Sequence, residues 1–284
     1  MLSVKNLEYK YRGAKVNTLK GIDFRIHPGE IFGFLGPSGS GKTTIQRVLI
    51  GLLKGYNGSI TAFDKERRDF GRDFYEKIGV AFDFPNLYLK LTAKENLQLI
   101  AEYYQNPPKD FDALLDQVGL LPDKDKKVEG FSKGMKMRLN FIRSIMHNPA
   151  LMFFDEPTSG LDPVNAKLIK DMILTMKGEG KTVFLTTHNM TIAEQLCDRV
   201  AFLVDGQISL CDTPYALKLK YGRKTVKVDF LSCGTPDTSE FELDQLSGNQ
   251  QFLDIISYSE IKSIHSQDAS LEDIFIKVTG RELI

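Results

Sequence analysis

Three groups of residues in this chain have the types and spacing to do phosphate chemistry. The first is Gly36-Pro37-Ser38-Gly39-Ser40-Gly41-Lys42-Thr43, which fits the pattern GxxxxGK[ST]. Glycines at those places let successive backbone N–H groups converge on phosphate oxygens without a Cβ in the way. The lysine reaches the β- and γ-phosphates, and the hydroxyl of Thr43 is placed to hold Mg²⁺. Thr44 follows in the helix that the loop opens. The second group is Leu151-Met-Phe-Phe-Asp155-Glu156. Its four apolar residues read as a buried strand. Asp155 would emerge beside the metal, and Glu156 would stand one residue farther out, where an attacking water could sit. The third is His188, just past the apolar run Thr182 to Thr186, at the edge where ligands gather in open α/β sheets. Alone it would read as structural; beside the other two motifs it reads, with Glu156 and Lys42, as catalytic.

Strands must aim these groups and helices must cover the strands. Leu2 to Tyr9 and Leu19 to Ile26 alternate loosely and read as strands, with a turn at His27-Pro-Gly-Glu30. Glu30 to Leu35 is a short apolar run suited to a buried strand, and Lys42 to Leu53 reads as a helix stopped near Gly55. Further strands are expected at Gly58 to Phe63 and Ile78 to Phe82. Between about 84 and 149 the texture becomes helical. Thr92-Ala-Lys-Glu95 is a capping box for a helix running to about Tyr104, and Asn106-Pro-Pro-Lys109 breaks the chain. Phe111, Leu114, Leu115 and Val118 repeat at helical spacing, and a third helix runs from Ser132 to about His147. Strand signals return at Ala150 to Phe154, Lys181 to Thr186 and Arg199 to Val204, with helices opening at Asp162-Pro163 and at Thr191-Ile-Ala-Glu194. Asp205-Gly206 turns a hairpin into Gln207 to Leu210. Past Tyr221 come a strand over Thr225 to Leu231, a polar loop from Ser232 to Glu240, and a closing helix from Ser270. The alternation implies an α/β fold with a mainly parallel sheet.

The 284 residues suit one domain of roughly 200 residues with an appendage. At 42% apolar and 26% charged, the chain is neither disordered nor fibrous. Thirty-seven basic residues balance thirty-seven acidic ones, which excludes binding to nucleic acid by bulk charge. No apolar run approaches the roughly 18 residues of a membrane span, and no apolar signal core opens the chain. Any membrane role is therefore expected to be peripheral. Cys197, Cys211 and Cys233 are far apart and form no CxxC, so free thiols in a reducing cytosol are expected.

In this order and spacing, the motifs resemble the nucleotide-binding subunit of an ATP-binding-cassette (ABC) transporter over about residues 1 to 218. Tyr11, in Lys10-Tyr-Arg-Gly13, matches the aromatic that stacks on adenine. Phe131-Ser-Lys-Gly-Met135 occupies the signature position, where the resemblance implies that Ser132 and Gly134 face the γ-phosphate. Ser159-Gly-Leu-Asp162-Pro163 matches the D-loop and His188 the switch histidine. Gly79 to Asp83, followed by Pro85-Asn-Leu-Tyr and Leu91 to Asn96, occupies the Q-loop region. Two departures stand out. The signature reads FSKGM rather than LSGGQ, and the Q-loop glutamine is Asp83. A carboxylate there can hold Mg²⁺ or its water but cannot donate a hydrogen bond when ionised. The tail, Ala269 to Phe275 and then Thr279-Gly-Arg281, is similar to the ends of bacterial drug- and antibiotic-exporter ATPases.

The resemblance implies a P-loop NTPase core with an N-terminal antiparallel β subdomain, a helical signature subdomain over about 84–149, and a small α+β extension over 219–284. It also implies an Mg²⁺-dependent ATPase that works as two copies, a homodimer, each clamping ATP against the other. A separate transmembrane permease would dock on the helical segment at the cytoplasmic face of the membrane, with export as the direction and no nucleic acid as partner. The alternative is a soluble, non-transport ABC ATPase acting on nucleic acid or ribosomes. Such machines carry a long coiled coil between phosphate loop and signature, or two cassettes in tandem, and this chain has neither. A binding module without turnover would have lost its acid, and Glu156 is present.

Overall fold

Short runs with three or more consecutive apolar residues belong in the middle of a covered sheet. Ile31–Leu35, Leu151–Asp155 and Thr182–Thr187 are buried at every position. The computed structural model describes residues 1–222, 224–232, 234–267 and 269–280; Cys233 and Arg281 lie outside the described residues. Contacts group the chain into two units, 1–211 and 212–283.

In the first unit the elements are β1 (Leu2–Tyr9), β2 (Leu19–Ile26), β3 (Ile31–Leu35), α1 (Lys42–Leu49), β4 (Asn57–Ala62), β5 (Lys65–Glu66), α2 (Asp73–Lys77), β6 (Ile78–Ala81), α3 (Ala93–Ala101), α4 (Phe111–Gln117) and α5 (Lys133–Ile145). They continue with β7 (Leu151–Asp155), α6 (Pro163–Gly178), β8 (Thr182–Thr187), α7 (Met190–Leu196), β9 (Arg199–Val204) and β10 (Gln207–Asp212). The second unit holds α8 (Pro214–Tyr221), β11 (Thr225–Ser232), β12 (Thr235–Glu242), α9 (Gln250–Tyr258), β13 (Glu260–Gln267) and α10 (Leu271–Thr279).

The main sheet has the order β10-β9-β3-β8-β7-β6, and β9, β3, β8, β7 and β6 pair in parallel. A second sheet, β2-β1-β4-β5, is antiparallel. The two share a phenylalanine core. Phe24 of β2 meets Phe32 and Phe34 of β3 at ring-centroid distances of 5.5 and 5.0 Å, and Phe184 of β8 at 6.3 Å. Each buried ring contributes about 1.5–3 kcal/mol, which fixes the small sheet over the phosphate-loop strand. Helices α3, α4 and α5 enclose a separate core around Leu97, Leu115, Val118, Leu139 and Ile142. The α/β class, the antiparallel subdomain and the helical segment expected from the sequence are all present.

Several boundaries differ from expectation, each for a physical reason. Helix α1 ends at Leu49 instead of Leu53. The buried Arg67 guanidinium donates to the carbonyls of Leu49 (3.2 Å) and Ile50 (2.8 Å), so the last turn is capped by a side chain from beyond β5. Helices α3 and α5 stop at Ala101 and Ile145, short of Tyr104 and His147. Helix α7 does not open on a Thr191–Glu194 box: Asn189 is its N-cap and accepts from the Ile192 N–H at 3.0 Å. The strongest expected cap does hold. Asp162 accepts from Val164 and Asn165 N–H, with Pro163 at the first helical position of α6.

In the second unit, β11 is the centre of a three-stranded antiparallel sheet, β12-β11-β13. Its alternate residues Val226, Val228 and Phe230 are buried with Phe241 and with Ile255 of α9. The segment expected as a polar loop, Ser232 to Glu240, is mostly the edge strand β12. Its residues from Thr235 to Ser239 expose nearly every side chain, so no apolar alternation announced it; pairing with β11 supplies its order. Ser270 caps α10 in a reciprocal box with Asp273. Helix α10 packs on α8, and Lys277 Nζ donates to the Tyr221 carbonyl at 2.8 Å.

Candidate functional site

Parallel order alone brings the motifs together. Strands β3, β8 and β7 are neighbours, so the loops at their C-terminal ends emerge side by side. Those loops are the glycine loop after β3, His188 after β8, and Glu156 after β7. They open into one cleft of about 910 Å³ lined by Ser38, Gly39, Gly41, Lys42, Thr43 and Thr44, together with Asp83, Asp155, Glu156 and His188.

The glycine loop is fitted to its neighbours at atomic range. A Cβ on Gly36 would come within 2.2 Å of the Leu203 carbonyl oxygen, so only glycine lets the loop leave β3 beside β9. Lys42 is 9% exposed, and its ammonium donates to the carbonyls of Gly36 (2.7 Å) and Pro37 (3.0 Å). Burial pushes its pKa down, and the carboxylates of Glu156 and Asp155 push it back up. Ser40 Oγ is buried with no hydrogen-bond partner, a donor left for a ligand.

Asp155 is held at both oxygens. Thr43 Oγ1 donates to Oδ2 at 3.0 Å, and Thr186 Oγ1 donates to Oδ1. Burial raises the pKa of this 2%-exposed carboxyl, the two hydroxyls oppose that, and the charges of Asp83 and Glu156 add to it. Three acids here face the ammonium of Lys42, and a divalent cation would balance the remaining negative charge. Among the described residues, no three His, Cys, Asp or Glu side chains form a metal-holding group. The hydroxyl of Thr43 and the carboxylate of Asp155 are oxygen donors of the kind that Mg²⁺ takes.

Glu156 adopts φ +49°, unusual for a residue with a Cβ. Its N–H donates to the Thr186 carbonyl at 2.9 Å. Its Oε2 accepts from Thr187 Oγ1 at 2.9 Å. Its Oε1 accepts from the His188 N–H at 2.8 Å and lies 2.6 Å from His188 Nδ1. Reading the sequence missed Thr186 and Thr187. The available signal was two hydroxyls ending a buried strand directly before the histidine.

Tyr11 is placed by an edge-on contact with Tyr9, ring centroids 5.0 Å apart, and its hydroxyl lies 3.2 Å from Thr44 Oγ1. Ser132 and Gly134 are not brought to this cleft. Ser132 is the N-cap of α5, accepting from Met135 N–H at 3.2 Å, and from that turn only Lys133 and Lys136 reach the cleft wall. Burial raises the pKa of the Cys197 thiol, and Cys211 Sγ accepts from Arg199 Nη2 at 3.5 Å. No helix among the described residues is long and apolar enough to cross a membrane.

The model of the ABC transporter family matches residues 19–159, and that of the fluoroquinolone efflux ABC transporter C-terminal domain matches residues 224–268. A fluoroquinolones export ATP-binding protein of Mycobacterium tuberculosis is 47% identical over 284 residues, covering all of this chain and 94% of that protein. A Nod factor export ATP-binding protein I of Rhizobium johnstonii is 32% identical, covering 96% and 93%. Among solved structures, an ATP-binding subunit of an ABC transporter superposes with TM-score 0.71 at 27% identity, covering 78% of this chain and 93% of that one. A dimeric ATP-binding cassette in a post-hydrolysis state, bound to ADP and Pi, gives 0.69 at 26%, covering 75% and 98%.

Proposed function

The chain belongs to the ATP-binding-cassette transporter family, as one of its ATP-hydrolysing subunits, and from that premise we propose that it drives export of fluoroquinolone-like aromatic drugs through a separate membrane permease. The observation that carries the substrate class is the 47% identity to a fluoroquinolone export subunit along the whole chain, C-terminal unit included. The soluble, non-transport alternative finds no support in any of these relatives.

In the proposed reaction, Glu156 polarises the attacking water. The bonds from Thr187 and His188 hold its carboxylate in place, and general-base help of this kind contributes about 10²–10⁴-fold. Lys42 and His188 stabilise charge that spreads over the γ-phosphoryl oxygens. Thr43 and Asp155 would hold Mg²⁺, with Asp83 contributing through a water. Bound Mg²⁺ neutralises the phosphate oxygens and orients them. Tyr11 stacks on adenine, and the loop from Gly36 to Thr44 binds the phosphates. Ser132 and Gly134 serve the nucleotide held by a second copy, since they stand apart from their own chain's cleft. The labour divides between a nucleotide-binding domain over 1–218 and a C-terminal extension over 219–284. The helical segment 84–149 docks on the permease, at the cytoplasmic face of the membrane.

Co-expression with the membrane protein encoded beside it, in cells lacking other drug pumps, tests the proposal. Energy-dependent loss of fluorescent norfloxacin from those cells, abolished by Glu156→Gln, is the expected result. Retention of the drug at the level of cells without the pair would refute the substrate class. Normal ATPase activity in the same preparation would leave the hydrolytic assignment standing.

A further inference from the structure

Two lysines in the cleft wall, Lys133 and Lys136 of α5, have no part in the reaction just described. Lys133 stands at the centre of Phe131–Met135, where the usual signature has glycine. The dipole of its own helix does not explain its presence, although the cleft wall it joins also holds Asp83, Asp155 and Glu156. It is the first residue of α5, whose first turn contains no acid, so the positive end of the helix dipole opposes it.

What the fold gives Lys133 is a surface. Its side chain lies across the turn that follows the catalytic acid. A Cβ on Gly160 would sit 2.7 Å from Lys133 Cε, 2.8 Å from Nζ and 3.2 Å from Cδ, and Gly160 has φ +72°. The backbone conformation favours glycine there, and the far end of the exposed Lys133 side chain lies over it. The neighbouring residues of the two turns also meet: a Cβ on Gly134 would lie 3.6 Å from Leu161 Cδ2. One turn farther along α5, the charge of Asp162 supports Arg138 against the burial that lowers its pKa. Gly160 and Leu161 therefore lie against the start of the signature helix, and Asp162 acts on that helix through its charge alone.

We propose that Lys133 is a positioning residue whose side chain straps the Ser159–Leu161 turn to the signature turn Phe131–Met135 of the same subunit, so that both present one rigid surface to the nucleotide held by a second copy. The strap works through shape. The aliphatic stem fills the space over Gly160, and ordering two loops before association reduces the entropy lost when the copies close on ATP. The inference rests on the two-copy arrangement proposed above.

The test uses the full chain carrying Glu156→Gln, with ATP-driven dimerisation followed by sedimentation. Affinity of the single chain for a fluorescent ATP analogue and thermal unfolding are measured in parallel. Adding Lys133→Ala should raise the ATP concentration for half-maximal dimerisation about tenfold, with analogue affinity and Tm unchanged. Lys133→Met keeps the stem without the charge and should restore the parent value to within about twofold. Equal loss in the Ala and Met variants would mean that the ammonium itself acts on phosphate, and the strap would be wrong. An Ala variant that dimerises like its parent, or one that loses analogue affinity or Tm, would overturn it too. If Glu156→Gln alone fails to dimerise with ATP, the two-copy reading falls and the strap falls with it.

Discussion

Asp155 in the nucleotide cleft and Asp229 on the C-terminal sheet carry the same carboxyl group under opposite conditions. Both accept from two hydroxyls. Asp155 has Thr43 and Thr186; Asp229 has Thr238 Oγ1 at 2.7 Å and Ser263 Oγ at 2.6 Å. Around Asp155, burial and two further acids outweigh those bonds and raise its pKa. Around Asp229, water reaches the group and the same kind of bonds lower its pKa. Hydrogen bonds of one type thus end in opposite results because the surroundings differ. The cleft holds negative charge at a cost that a cationic ligand offsets, whereas the C-terminal sheet holds charge that needs no ligand.

The sharpest way to break this comparison is to remove the acid proposed to polarise the attacking water. Glu156→Gln should cut ATP turnover by about 10²–10⁴ while leaving ATP binding intact. Steady-state hydrolysis alongside equilibrium binding checks it, and near-normal turnover would reassign the base. Next in size is Lys42→Ala. It removes a charge-assisted phosphate contact worth about 1.5–3 kcal/mol, so ATP affinity should fall by roughly 10- to 150-fold. Unchanged affinity would place the phosphates elsewhere.

A smaller effect is expected at Asp83. Asp83→Asn should raise the Mg²⁺ concentration for half-maximal ATPase a few-fold, about 1 kcal/mol or less, and Asp83→Gln should keep substantial activity because its amide oxygen remains a ligand. Wild-type Mg²⁺ dependence in both would confine Asp83 to shaping its loop. The smallest effects compare the two aspartates directly, in the nucleotide-free protein. The folded pKa of Asp155 is raised, so its contribution to stability is fully present below the unfolded carboxylate pKa and is lost as pH rises through the folded one. Asp155→Asn should therefore raise Tm at pH 7 by roughly 2 °C, with the gain vanishing in acid. The folded pKa of Asp229 is lowered, so its contribution is present above the unfolded value and lost as pH falls through the folded one. Asp229→Asn should lower Tm at pH 7, and that difference too should fade in acid. Calorimetry of both variants across pH reads the two signs, and equal signs would end the comparison.

The cleft was legible in the sequence far more than the C-terminal sheet was. The loop Gly36–Thr43, the strand ending in Asp155-Glu156 and His188 each announce themselves because phosphate chemistry dictates residue type and spacing over a few positions. Strand β12 announced nothing, since a polar edge strand has no apolar alternation to read. The end of α1 was equally hidden, because Arg67 caps it from 17 residues away.

The sequence by itself named the Gly36–Thr43 loop, Asp155, Glu156 and His188 as candidates for phosphate chemistry, and buried strands at about 30–35, 150–154 and 181–186. Only the tertiary structure decided their order, with β8 between β3 and β7. That order sets Thr186 and Thr187 under the two acids and lays Lys133 over Gly160. The physical reason is range. Residue type and local periodicity act over a turn or a strand, whereas strand order and long side-chain contacts follow from burying the whole apolar surface at once, and no short window of sequence contains that condition.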